Sequence, residues 1–310
     1  MDLGKIVDIR KKVFSEVKKY ANLGSQIGDE RPISQVRFAP NNEILATSSW
    51  SGTVKLWNVP ACTPIRSLRG HSDRVGGVAW HPEATRSLSA DAANLVSGAG
   101  DGNVNLWSLN SDAPISVMKG HQGRVYYVAS ASFDTTWRLW DLLLQEGHSK
   151  EVYSVEFQND GALVDSGLDA IGRVWDLRTG RTAMAIYAIG FSPNGYQIAT
   201  GAGDDTIRIW DLRSLKALYT IPAHLSNVSD VRFFHADNLF FKSPEGEADA
   251  QTAKEEWDYR SGLFFALLRT LSTDAGKVMS VDISSDGNLI ASGTYNRNFQ
   301  LFAPEDVAVL

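Results

Sequence analysis

One spacing constrains this chain more than any other. A tryptophan ends a short strand-like run at five places: "VKLWN" (54–58), "VNLWS" (104–108), "WRLWD" (137–141), "GRVWD" (172–176) and "IRIWD" (207–211). A turn-forming residue stands six positions before each: Ser51 before Trp57, Asp101 before Trp107, Asp134 before Trp140, Asp169 before Trp175 and Asp204 before Trp210. A weaker copy, "YNRNFQLF", places Asn296 six before Phe302. Gly-His recurs at 70–71, 120–121 and 147–148, with Ala-His at 223–224. Runs rich in Val, Ile and Ser/Thr, such as "ILATSS", "LVSGAG" and "IATGAG", lie between and read as strands. Three features recurring at fixed offsets mean a repeat architecture.

These marks resemble the WD-repeat β-propeller, whose repeat forms a four-stranded blade with Gly-His and Trp-Asp signatures. The resemblance implies an all-β, seven-bladed ring. Its innermost strands are expected near Ile33–Phe38, Val75–Trp80, Val125–Val128, Val152–Phe157, Ile186–Phe191, Val228–Phe233 and Val278–Ile283. A strand from one terminus is expected to complete the last blade, with "DVAVL" (306–310) the candidate. Closure of that kind removes the exposed edges of an open sheet.

The recurring polar residues invite a catalytic reading. His71, Ser97, Asp101 and Trp107 form one set, and His121, Ser130, Asp134 and Trp140 form another. Members of further sets are His148, Asp169, Trp175, Thr200, Asp204 and Trp210. Each set contains the ingredients of a Ser–His–Asp triad. An enzyme needs one such constellation, whereas this one returns unit after unit, which favours a structural role. The family's connectivity implies that Asp accepts from His and from turn amides, while His reaches the Ser/Thr and the indole N–H, so that buried polar groups are satisfied.

Several units look short. A four-stranded blade needs four strands of roughly 5 residues plus turns, yet "RVYYVASASFD" (124–134) runs one strand into the next with no turn residue. The connections near 128–129, 142–145, 184–187 and 266–268 are expected either to lack a loop that a regular repeat has or to belong to degenerate blades.

Outside the repeat, residues 1–24 read as a short amphipathic helix, with Ile6, Ile9, Val13, Val17 and Tyr20 on one stripe, Gly24 as a stop and lysines on the other face. The propeller is then residues 25–310. It is interrupted by a polar, acidic insertion at 242–262 whose Trp257-Asp258 lacks the preceding strand pattern. Net charge is −6, which disfavours bulk nucleic-acid binding by the whole surface. The single cysteine, Cys62, cannot form an internal disulfide and fits a reducing compartment. No apolar run is long enough to span a bilayer, and the start "MDLGKIVDIRKK" lacks the apolar stretch of a signal peptide. No phosphate-cradling Gly-rich loop precedes a helix, and no Cys/His spacing fits a metal, so no cofactor, metal or small-molecule substrate is expected.

Binding is expected on loops and channel-side positions. Repeat alignment puts Trp50, Phe133 and Tyr295 just before the turn residue of their units, and Tyr126, Tyr153 and Tyr187 at one equivalent position of three consecutive first strands. Arg74 and Arg124 sit two before that position in their own units. Aromatics with arginine suit a protein hot spot, and they would also suit unpaired bases. Around the channel, mainly aromatic and small residues are expected.

Longer stretches resemble one particular family. They are "SQIGDERPIS" (25–34), "LDAIGRVWDLRTGR" (168–181), "FSPNGYQIATGAGDDTIRIWDLR" (191–213), "YTIPAH" (219–224) and "GKVMSVDISSDG" (276–287). They are similar to the WD-repeat proteins of the U4/U6 small nuclear ribonucleoprotein, over roughly residues 25–303. The acidic insertion departs from the animal pattern and points to a fungal-type member. The resemblance implies a nuclear, non-enzymatic scaffold of the U4/U6 particle and the U4/U6·U5 tri-snRNP, bound to partner splicing proteins with the U4/U6 snRNA nearby. The alternative is a WD-repeat adaptor or substrate receptor of another nuclear complex, such as a ubiquitin ligase.

Overall fold

The computed structural model describes residues 19–119 and 277–305 throughout; between them it describes the strands from Ala129 to Pro244, together with Arg213, Ser214 and Leu271. Among the described residues there is no helix. The chain enters on β1 (Tyr20–Ile27). It then folds into a four-stranded sheet of β2 (Ile33–Phe38), β3 (Ile44–Ser49), β4 (Thr53–Asn58) and β5 (Thr63–Arg69). A second such sheet holds β6 (Val75–Trp80), β7 (Leu95–Ala99), β8 (Asn103–Trp107) and β9 (Ser116–Lys119). Three-stranded sheets follow: β10 (Ala129–Ala131), β11 (Thr136–Leu139) and β12 (Leu143–Glu146), then β13 (Val152–Phe157), β14 (Ala162–Gly167) and β15 (Gly172–Asp176). The next sheet is β16 (Ala188–Phe191), β17 (Gln197–Gly201), β18 (Thr206–Asp211) and β19 (Lys216–Pro222); β20 (Val228–Phe233) and β21 (Phe240–Pro244) make a pair. The last sheet is β22 (Val278–Ile283), β23 (Ile290–Thr294) and β24 (Asn298–Pro304). Within each sheet, strands consecutive in sequence pair antiparallel, as short hairpin connections allow; β1 instead pairs with β24.

Sheets stack face to face, which explains the buried runs on second strands. Leu45 of β3 faces the last sheet, in a cluster with Ile33, Val36, Trp57, Phe299 and Leu301, while Ala46 beside it faces the second sheet, with Leu56, Val75, Leu95 and Trp107. Both faces of the strand are covered, so simple alternation disappears. The fit between the first and last sheets is tight: a Cβ added at Gly293 would lie 2.8 Å from Ile33 Cγ2 and 2.9 Å from Val36 Cγ1.

Five of the first strands share a bulge, one residue long, which β16 lacks. The register skips Ser34, Gly76, Tyr153, Ser229 and Met279, at the same point of β2, β6, β13, β20 and β22. A bulge of this kind re-aims the strand and leaves the extra residue unpaired. Tyr153, one of the three aligned tyrosines, is such a residue. After the bulge, side chains of one first strand bond the backbone of the next. Gln35 Oε1 accepts from the Val78 amide at 2.7 Å, Asp230 Oδ2 from the Val281 amide at 3.2 Å, and Asp282 Oδ2 from the Phe38 amide at 2.8 Å. These bonds satisfy amides on the unpaired edge of each sheet.

The charge here corrects an expectation. Arg37 lies 3.8 Å from Asp230, which is also 3.7 Å from Arg232, so the first strands carry an ionic group where aromatic and small residues were expected. Burial pushes the Asp282 carboxyl up, against the pull of Arg37 and Arg232.

Three further expectations change. Tyr20–Gly24 is strand, not the end of a helix, and residues 1–18 lie outside the described residues. The helical spacing is outweighed because β1 pairs along the otherwise open edge of β24, from Tyr20↔Pro304 to Ile27↔Asn298. Tyr20 is 4% exposed, packed with Ile283, Ile290 and Phe302, and its hydroxyl donates to the Gly287 carbonyl. The segment that completes the last sheet is therefore N-terminal, where 306–310 was expected; those residues lie outside the described ones. At 142–145, Leu143–Glu146 is strand and Leu139 pairs with Leu143, while residues 140–142 lie outside the described residues. Residues 184–187 and 266–268 lie outside the described residues, as do Val128 and the expected strand 125–128. Lastly, β21 runs to Pro244, so residues 242–244 of the expected insertion are strand, and 245–262 lie outside the described residues.

Candidate protein-binding face

The second sheet shows how the repeat signature works. Trp107 Nε1 donates to Ser97 Oγ at 2.8 Å, His71 Nε2 lies 2.8 Å from the same oxygen, and His71 Nδ1 lies 3.1 Å from Asp101 Oδ2. Asp101 also accepts from the amides of Ser72 and Asn103 at 3.0 Å each. Burial lowers the His71 pKa, only partly opposed by the charge of Asp101, so the ring is neutral. Burial raises the Asp101 value but is outweighed by the two amides and by His71, leaving it lowered. One proton arrangement satisfies every group: the indole N–H donates to Ser97, Ser97 donates to Nε2, and Nδ1–H donates to Asp101.

The distances match a Ser–His–Asp triad, but the chemistry does not. Ser97 is 1% exposed, and its oxygen already accepts the indole N–H, so no substrate carbonyl reaches it. The geometry pins a turn.

Other sheets keep part of this network. The hydroxyl ten residues before the tryptophan accepts its N–H in β3–β4, with Trp57 Nε1 to Thr47 Oγ1 at 2.9 Å, and in β17–β18, with Trp210 Nε1 to Thr200 Oγ1 at 2.9 Å. In the last sheet Phe302 replaces the tryptophan, and the buried Ser292 Oγ, ten residues before it, has no hydrogen-bond partner. Ser130 stands opposite Arg138 and Trp175 opposite Leu163 in their sheets. His121, Asp134, Trp140, His148, Asp169 and Asp204 lie outside the described residues.

The first sheet inverts the scheme, a feature the sequence reading missed. Gly28-Asp29 occupies the place of Gly70-His71, and Ser51 the place of the turn aspartate. Asp29 Oδ2 accepts from Ser51 Oγ and from Thr53 Oγ1 at 2.6 Å, and Lys55 Nζ lies 3.2 Å from Oδ1. The acid stands in the histidine's place and a hydroxyl in the acid's place, while Thr47 keeps the hydroxyl that accepts the indole N–H. Aligning "IGD" with "RGH" was the signal that could have found it. Burial raises the Asp29 pKa, but hydrogen bonds from Ser51, Thr53, the Glu30 amide and Ser49 outweigh it and bring it down from 3.8 to about 2. A folded value below the unfolded one favours folding of the ionised form. Its contribution is complete above about pH 4 and is lost as pH falls through about 2. Asp29→Asn should therefore flatten the fall in urea midpoint across that window; an unchanged slope would contradict the assignment.

Three of the aligned surface residues come together on the same rim. Trp50 and Tyr295 meet edge to face, with centroids 5.5 Å apart at 89°, and the Arg74 guanidinium lies 4.6 Å from the centre of the Trp50 ring. Tyr295 is 46% exposed, Arg74 is exposed and Trp50 is half-buried. The backbone explains the meeting. The amides of Trp50, Gly100 and Tyr295, each just past a second strand, donate to the carbonyls of Pro32, Arg74 and Lys277, each just before a first strand. Each sheet thus ties its two rim loops together at one point, and neighbouring sheets bring those points side by side. Gly100 stands where Trp50 and Tyr295 stand, leaving room over Trp50 for Arg74. Arg124, Tyr126, Phe133 and Tyr187 lie outside the described residues, and Tyr153 is placed by its backbone alone.

Comparison with known proteins decides the family. Residues 22–58, 62–108, 112–141, 142–176, 177–211 and 265–302, well over half of the chain, match the family described as WD domain, G-beta repeat. The chain belongs to the WD-repeat family. The gap between 211 and 265 holds the two-stranded sheet of β20 and β21 and the acidic insertion. Among WD-repeat relatives, the mouse U4/U6 small nuclear ribonucleoprotein Prp4 is 46% identical over 85 residues, 27% of this chain and 16% of its own length. The Saccharomyces cerevisiae U4/U6 small nuclear ribonucleoprotein PRP4 is 33% identical over 149 residues, 43% of this chain and 32% of its own. The rice pre-mRNA-processing factor 19 is 28% identical over 300 residues, 89% of this chain and 47% of its own. The chain thus spans less than half of the length of each of these relatives. The U4/U6 resemblance read from the sequence stands, and the relatives carry names from pre-mRNA splicing.

Proposed function

We propose that this chain is a seven-bladed WD-repeat propeller serving as a non-enzymatic scaffold of the U4/U6 snRNP and the U4/U6·U5 tri-snRNP in the nucleus, with the Trp50–Arg74–Tyr295 face as a docking site for partner splicing proteins and the U4/U6 snRNA nearby. The observation that carries this reading is the local identity to U4/U6 Prp4, 46% in mouse and 33% in yeast, against 28% to processing factor 19 over a longer alignment. The site supports it in kind. The Ser97–His71–Asp101 set is closed to substrate, while the exposed residues are those that anchor protein interfaces, aromatics and arginine. The strand pairs β2–β6, β2–β22, β20–β22, β16–β20, β13–β16 and β10–β13 are neighbours, which supports a ring-like order; residues 125–128 lie outside the described residues. Affinity purification of the tagged chain from nuclear extract tests the reading. Both U4 and U6 RNA are expected in the eluate, and their absence would sink the splicing assignment.

A further inference from the structure

The rim around Trp50 is basic in a protein of net charge −6. Arg31 precedes Pro32, whose carbonyl accepts from the Trp50 amide, and the Arg31 carbonyl accepts from Ser49 Oγ. Arg297 follows Tyr295 in the same hairpin, and its carbonyl accepts from the amides of Gly28 and Asp29. Arg31, Arg74 and Arg297 are all exposed, and among the described residues their guanidinium groups make no ion pair. The Arg74 guanidinium carbon lies 4.6 Å from the centre of the Trp50 ring, and Arg74 is exposed. A guanidinium braced on a ring in this way suits a planar, two-oxygen acceptor.

We propose that this rim captures an acidic peptide segment of a protein partner, with Arg74, braced on Trp50, taking a carboxylate by paired hydrogen bonds and Arg31 and Arg297 taking neighbouring acids. This rests on the reading of the face as a partner-docking site and adds the chemistry of the partner. Nucleic acid fits less well. One face of Trp50 is occupied by Arg74 and Tyr295 meets the ring edge to face, so stacking space for an unpaired base is reduced. Glu30 and Asp73, both exposed in the same loops, repel a phosphate backbone, whereas a peptide can place its acids between them.

The test measures fluorescence anisotropy of a labelled decamer of alternating glutamate and serine titrated with the full chain, beside a labelled oligouridine. The decamer should bind saturably. Arg74→Glu should weaken it about tenfold or more, Arg31→Glu less, and Lys119→Glu on the exposed β9 not at all. Equal losses for Arg74→Glu and Lys119→Glu, or no binding of the decamer, would overturn the proposal. Tighter binding of oligouridine, lost in Arg74→Glu, would overturn it in favour of RNA. If the decamer fails while Trp50→Ala with Arg74→Ala still loses proteins captured by the wild-type chain from nuclear extract, the docking face stands and only the acidic partner is wrong.

Discussion

Replacing Trp107 by alanine is expected to lower folding stability by about 3–5 kcal/mol, the range for deleting a buried large aromatic side chain. Trp107 is fully buried, packed among Leu56, Val75 and Leu95 between the first two sheets, and its N–H is one end of the chain through Ser97 and His71 to Asp101. The substitution opens a cavity and removes the N–H together. Trp107→Phe separates the two effects. It keeps most of the packing and leaves Ser97 bonded to His71, so the loss should be about 1 kcal/mol. In the last sheet Phe302 stands in the tryptophan's place and Ser292 Oγ has no partner at all. Ser292→Ala should thus be close to neutral, whereas Ser97→Ala strands both the indole N–H and the imidazole and should cost about 2 kcal/mol. Urea unfolding of the four variants checks the ranking. Equal effects of the two serine substitutions would contradict the view that the network holds the sheet.

Removing residues 1–27 is expected to abolish cooperative unfolding. The deletion uncovers the β24 edge from Asn298 to Pro304 and takes Tyr20 out of its cluster with Ile283, Ile290 and Phe302. Tyr20 alone is worth several kcal/mol by the measure of other buried aromatics, comparable with the total stability of an ordinary domain. An unpaired edge strand is also a template for aggregation. Circular dichroism melts and size-exclusion chromatography read the outcome. A truncated chain with the full chain's midpoint would show that the last sheet is stable without β1.

The parts of the fold that repeat were legible because a repeat supplies its own alignment. Ile33–Phe38, Val75–Trp80, Val152–Phe157, Val228–Phe233 and Val278–Ile283 were expected as first strands and are strands with those bounds. The tetrad was legible for the same reason: His71, Ser97, Asp101 and Trp107 stood beside a second full set and several partial ones. What occurs once was harder to read. Tyr20–Ile27 carries helical spacing, and only the vacant edge of a strand some 280 positions away makes it a strand. The Asp29–Ser51 pair was hidden because an acid stands where other units carry histidine and a hydroxyl where they carry the acid. The ionic group of Arg37, Asp230 and Arg232 joins two first strands, β2 and β20, which no single repeat displays. Of the binding face, alignment found Trp50, Arg74 and Tyr295 as separate positions. Their contact needed the neighbouring sheets, and Arg31 and Arg297 entered only with the loops between those sheets.

The central claim is a division of labour: a buried polar network that shapes the sheets and an exposed aromatic–arginine rim that holds partners. The most direct measurement compares recovery of U4 and U6 RNA from nuclear extract by three tagged chains at one salt concentration. The native chain and Trp107→Phe, which alters the network alone, should recover both RNAs. Trp50→Ala with Arg74→Ala, which alters the rim alone, should recover neither while retaining the native urea midpoint. Recovery of both RNAs by the folded rim variant, or by none of the three chains, would contradict the account.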